Sequence, residues 1–208
     1  HALDRIHQPH PPDQPQDIPL PAEAERTLEQ ELVAACLHLQ PSTGIKASHG
    51  VNLIRVDGLF PCPVLSGTAP ALRLPEGQGF KSLVIHSQGI SPWQHQTGQH
   101  QTDAPLALDR LGEGPVLLQL FMRGNPFRGS QDSIEPWSAA VQQLQRLDRL
   151  AGLVIYGSPY VWEQLKTVLN PDIPAAYSPG QMPEAQRQIL TTLLNRSHTT
   201  TRNADFTD

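Results

Sequence analysis

Few side chains in this sequence have the type and spacing that catalysis or metal binding requires, and each group can be weighed by its surroundings. Ser158 follows a glycine in Tyr156-Gly157-Ser158-Pro159-Tyr160. A nucleophile elbow reads Gly-x-Ser-x-Gly, whereas here a proline comes straight after the serine and no glycine follows. Serine, then proline, then an apolar helix is instead the pattern of an N-cap with proline in the first helical position. His95 and His100 stand five apart in a Gln/His-rich stretch, with no acid or thiol at a spacing that would complete a zinc site, so they read as solvated loop histidines. Asp132 and Glu135 suggest an acid pair, but they precede an apolar helix, where acids act as caps and dipole partners. Asp57 alone ends the first apolar run, without the further acids of a phosphoacceptor domain. The glycine-rich pieces Gly77–Phe80 and Gly112–Pro115 come before apolar runs rather than after them, so neither is a phosphate cradle. No metal site and no cofactor are expected.

Composition narrows the partners. The 208 residues carry 15 Lys and Arg against 20 Asp and Glu, a formal net charge of −5, which offers no basic footprint for nucleic acid. No apolar run reaches the ~20 residues of a membrane span, and no export signal is readable, so the expected location is cytoplasmic. Cys36 and Cys62 differ in setting, one on the apolar stripe of a helix and one between prolines, and read as free thiols. The chain starts at His1 rather than methionine, which suggests a processed protein or a piece of a longer one.

The elements that would carry these residues follow from apolar periodicity. Residues 1–21 end in a proline-rich strap (HQPHPPDQPQDIPLP) that reads as the end of a preceding domain and a linker; 22–196 reads as one α/β domain and 197–208 as a frayed tail. Residues 22–40 place Leu28, Leu32, Cys36 and Leu39 on one helical face, with Glu23, Glu25 and Glu29 in the early turns. Runs at 51–56, 83–86, 116–121 and 153–156 are apolar throughout and predict interior strands, with 173–177 a weaker fifth. Helical periods at 133–150 (Trp137, Val141, Leu144, Leu147), 160–169 and 182–194 lie between and after them. The alternation predicts a doubly wound, mostly parallel sheet with helices on both faces, a flavodoxin-like three-layer sandwich.

Two stretches carry a family resemblance. Residues 152–194, GLVIYGSPYVWEQLKTVLNPDIPAAYSPGQMPEAQRQILTTLL, are similar to the closing segment of the C-terminal α/β sandwich domain of family 3 glycoside hydrolases, the β-glucosidases and β-N-acetylhexosaminidases. The shared features are the turn Gly157-Ser158-Pro159, the turn Tyr177-x-Pro179-Gly180-Gln181 and the final helix. The earlier GPVLLQLFMRGNPFRGS resembles the family's strand and loop facing the sugar site, and Ala2–Ile6 resembles the last barrel helix before the linker. The resemblance implies a C-terminal accessory domain whose partner is an N-terminal (β/α)8 barrel of the same protein, bearing the nucleophilic aspartate and acting on a carbohydrate. A retaining glycosidase needs two carboxyl groups about 5 Å apart, so the isolated chain is expected to be inactive. In many of the family's β-glucosidases the acid/base is a glutamate in or near the loop that MRGNPFRGSQD resembles. This loop has none, which favours the hexosaminidase-like branch or an altered activity. No catalytic residue is assigned within the chain. The candidates for substrate contact are Arg123, Asn125 and Arg128 in that loop, the arginines as donors and Asn125-Pro126 as the turn. The competing expectation is a non-catalytic module that binds a carbohydrate or a partner.

Overall fold

The computed structural model describes residues 22–42, 44–57, 62–86, 106–122 and 135–195. They form helix α1 (Ala22–Cys36), strand β1 (His38–Leu39), β2 (Gly50–Val56), α2 (Pro70–Gly77), β3 (Phe80–His86), a 3-10 turn at Leu108–Leu111, β4 (Val116–Met122), α3 (Trp137–Arg146), β5 (Leu150–Gly157), α4 (Pro159–Lys166), β6 (Ala175–Ser178) and α5 (Pro183–Asn195). The six described strands make one sheet in the order β1-β6-β5-β4-β2-β3. Every pairing is parallel except that of the short β1 with β6. Counted from β2, the parallel strands follow the flavodoxin-like order 2-1-3-4-5, and the direction of winding reverses between β2 and β4.

Side chains alternate across each strand, so an unbroken apolar run feeds two cores at once. Leu153 and Ile155 face one layer with Val141 and Leu144 of α3 and Val161 and Leu165 of α4. Val154 and Tyr156 face the other with Ala71 of α2 and Ile189, Leu190 and Leu193 of α5. Strand β4, with all seven residues buried, serves both. The doubly wound sandwich expected from the sequence is the fold observed.

Particular elements depart from expectation. The run 83–86 lengthens to β3 and lies at the edge of the described sheet, not inside it. Its Leu83 and Val84 are only half-buried. The first helix stops at Cys36, and Leu39 belongs to β1. Only Val33 of α1 is buried, while Leu28 and Leu32 of the predicted stripe are 46% and 58% exposed. Cys36 is exposed and Cys62 half-buried, and the two form no disulfide. Helix α3 begins at Trp137 and ends at Arg146; Leu147, read as core, is half exposed because it lies past the last helical turn.

Helix α2 has no counterpart in the sequence reading, because prolines at 70 and 75 conceal it. Pro70 sits in the first turn, where no intrahelical donor is needed. Pro75 is inside, and it lacks the N–H that would bond the carbonyl four residues back, at Ala71. That carbonyl is satisfied from the sheet instead: Asn52 Nδ2 donates to Ala71 O at 2.9 Å and Gln119 Nε2 at 2.8 Å. Gln119 also donates to Asn52 Oδ1 at 2.6 Å and accepts from Tyr156 Oη at 3.2 Å, and Asn52 donates to Ser82 Oγ at 3.0 Å. Both amides are fully buried, and each uses both of its N–H donors and its oxygen. Burial pushes the Tyr156 phenol well above its ordinary value, so it stays neutral and a donor. Helix α2 also has no side-chain cap of its own; Gln186 of α5 accepts from Ala71 N at 3.1 Å.

Candidate functional site

In open parallel sheets ligands gather beyond the carboxyl ends of the strands, at the point where winding reverses. Here that point lies between β2 and β4, whose register ends at the pair Val56–Phe121, with Asp57 N donating to Phe121 O at 2.9 Å. Arg123, Asn125 and Arg128, the residues expected to meet a substrate, lie outside the described residues, as do His95, His100 and Asp132. What surrounds the two ends of segment 123–134 is described.

At its far end stands Glu135. The sequence suggested a cap or dipole partner for the following helix, but the residue before α3 makes no side-chain cap. Glu135 instead forms a bidentate ion pair with Arg55 of β2, through Arg55 Nη2 to Oε1 and Arg55 Nε to Oε2 at 3.1 Å. The indole Nε1 of Trp137 donates to the same Oε2 at 3.1 Å. Arg55 Nη1 donates to the carbonyls of Val56 and Ile85, so the guanidinium ties β2, β3 and the start of α3 together. Arg55 is buried inside a largely apolar run, and only a matched carboxylate makes that placement tolerable. Each carboxylate oxygen of Glu135 is held by a charged donor, so the side chain is committed as an anchor. The sequence signal was available: a lone arginine in VNLIRV, and a glutamate beside a proline-started helix.

At the near end the two recognised turns meet. Ser158 caps α4, accepting from Val161 N at 3.4 Å, as the serine-proline pattern predicted. Gly157 has φ 104°, a left-handed conformation that favours glycine, and a Cβ there would lie 2.0 Å from Met122 O. The turn after β6 closes over it. Gln181 Nε2 donates to Met122 O at 3.0 Å and to Tyr156 O at 3.2 Å, and Tyr177 Oη donates to Gly157 O at 3.3 Å. Burial first, and the nearby Cys36 thiol second, push the Tyr177 phenol upward, keeping it a donor. The residues that looked like a working serine turn are thus a rigid corner, and their partner is the Tyr-x-Pro-Gly-Gln turn.

The described residues at this rim include no serine or cysteine beside a base and no pair of free carboxylates. They supply hydrogen bonds, shape and a fixed framework. A hollow of about 420 Å³ lined by His49, Lys81, Arg110 and Glu113 lies at the opposite, amino ends of β2 and β3. Gly50 and Gly79 there allow backbone crossings, each with a left-handed φ and a carbonyl within 2.4 Å of where a Cβ would sit.

The model of the bacterial glycosyl hydrolase family 3 C-terminal domain matches residues 44–195. The chain belongs to that family. The match spans both corners and the Arg55–Glu135 clamp, so the family 3 domain is the unit that holds them. Among solved structures, a beta-glucoside phosphorylase BglX is similar to the chain at 12% identity, with a TM-score of 0.43, over 84% of this chain and 30% of that one. The chain therefore spans less than a third of that protein. Comparison with curated proteins gave no match. No described helix is long and apolar enough to cross a membrane.

Proposed function

We propose that this chain is the C-terminal accessory domain of a family 3 glycoside hydrolase, and that its carboxyl rim completes the sugar site of a (β/α)8 barrel carrying the nucleophile. The observation that supports the reading is that β4 ends at Met122 beside the reversal point of the sheet, and that Met122 and Glu135, the described residues on either side of 123–134, are both held by built hydrogen bonds. Arg123 and Arg128 act there as donors to sugar hydroxyls, an acylamino carbonyl or barrel carboxylates, and Asn125 shapes the turn. Glu135 is engaged by Arg55, which supports a division of labour in which the barrel supplies the acid/base. The substrate class is a β-glucoside or a β-N-acetylhexosaminide.

The test is turnover. The purified 208-residue chain should hydrolyse neither aryl β-glucosides nor aryl β-N-acetylglucosaminides above buffer, while the polypeptide that includes the barrel hydrolyses one of them. Turnover by the isolated chain that vanishes on mutating one of its own acids would overturn the proposal. A polypeptide with barrel and nucleophile whose rate is unchanged when this domain is deleted would instead favour a non-catalytic carbohydrate- or partner-binding module.

A further inference from the structure

We infer that the hollow at the amino ends of β2 and β3 is a second ligand site, and that it takes a monosaccharide-sized polyol bearing one anionic group. The inference is independent of the role proposed for the carboxyl rim, which lies at the other end of the same strands. The hollow holds about 420 Å³, within the range of about 300–1,000 Å³ usual for small-molecule sites. Its lining brings together three basic side chains, His49, Lys81 and Arg110, and one acid, Glu113. Basic groups gathered in one place on a chain of net charge −5 favour an anion there.

Among the described residues Lys81, His49 and Glu113 make no ion pair and no hydrogen bond, although opposite charges line the one space. Elsewhere exposed opposite charges do pair, as Arg73 does with Glu76 and Lys166 with Glu163. Donors and an acceptor held apart across a hollow suit a ligand that reaches both. Lys81 and His49 donate to its anionic group, and Glu113 accepts from its hydroxyls. The wall that carries Glu113 is fixed in advance: Arg149 Nε donates to Gly114 O and Arg149 Nη2 to Gly112 O, each at 2.7 Å. The backbone crossings at Gly50 and Gly79 fix the facing wall. Leu83 and Leu111 add apolar lining against which the carbon face of a sugar ring can lie. A site built this way has little left to order when the ligand arrives.

The experiment is isothermal titration calorimetry of the 208-residue chain at low salt with glucose 6-phosphate, sodium glucuronate, inorganic phosphate and glucose. At least one of the two sugar anions should bind at one site with a Kd of about 1 mM or tighter, and about tenfold or more tighter than glucose or inorganic phosphate. Which of the two binds tells a phosphate from a carboxylate. Lys81→Gln should weaken that binding about tenfold, as expected when a charge-assisted hydrogen bond is lost. Its thermal midpoint should not move, because Lys81 is exposed and has no partner among the described residues. Glu113→Ala should lower the preference for the sugar anion over inorganic phosphate, a ratio that a mere gain in positive field would leave alone. Lys166→Gln, on α4 and outside the hollow, should change nothing. No saturable binding of either sugar anion up to about 10 mM, inorganic phosphate binding as tightly as both, or equal affinities in Lys81→Gln and the parent would overturn the inference.

Discussion

Gly157→Ala should destabilise the domain by roughly 3–5 kcal/mol, because a strained φ and a steric collision fall on one atom. The backbone there has φ 104°, and the new Cβ would sit 2.0 Å from Met122 O and 2.8 Å from Gln181 Nε2. Neither neighbour can retreat freely: Met122 ends a central strand, and Gln181 is held through Gln186 to α2. Gly67→Ala is the internal control, since its Cβ meets nothing within 4 Å, and it should change stability by no more than about 0.5 kcal/mol. Urea denaturation of the two variants beside the parent domain checks this. Similar midpoints for both would mean that the corner at Gly157 yields.

Gln119→Glu should be of comparable severity and should add a pH dependence that the parent lacks at this position. The amide nitrogen of Gln119 donates to Asn52 Oδ1 and Ala71 O in a fully buried place. A carboxylate would turn an oxygen toward two acceptors and bury a charge without a cation, a loss of roughly 3 kcal/mol or more at neutral pH. Burial would raise the folded pKa of the introduced acid above its unfolded value of about 4.3. The native state then binds more protons than the unfolded chain, so stability falls as pH rises above that value. The deficit relative to the parent should be smaller at pH 4.5 than at pH 7.5, where measured by urea midpoints. A deficit below about 1 kcal/mol, or one independent of pH, would show that the network relaxes around the new group.

Gln119 also shows why the fold was easier to read than its fittings. The runs at 116–121 and 153–156 announce strands because residues on both faces are apolar, and both faces are in fact covered. The polar exceptions in such runs, Asn52 and Arg55 in 51–56 and Gln119 in 116–121, look like blemishes in a linear pattern. Each answers a need elsewhere in the chain: Asn52 and Gln119 answer the donor missing at Pro75, and Arg55 answers Glu135. Such needs appear only when distant elements are brought together, so helix α2 and the Glu135 anchor escaped a local reading. Ser158, whose partner Val161 is three residues away, did not. The stripe of α1 failed for the converse reason. Periodicity identifies an apolar face but not what it packs against, and in this chain Val33 takes that place in preference to Leu28 and Leu32.

The central claim is that the rim beyond β4 meets the sugar site of a barrel. The measurement that bears on it most directly is kcat/KM of the barrel-containing polypeptide carrying Arg123→Ala together with Arg128→Ala. The account predicts a fall of about tenfold or more with a nearly unchanged thermal midpoint, as expected when donors to a substrate are lost. Full activity in that double variant would contradict it.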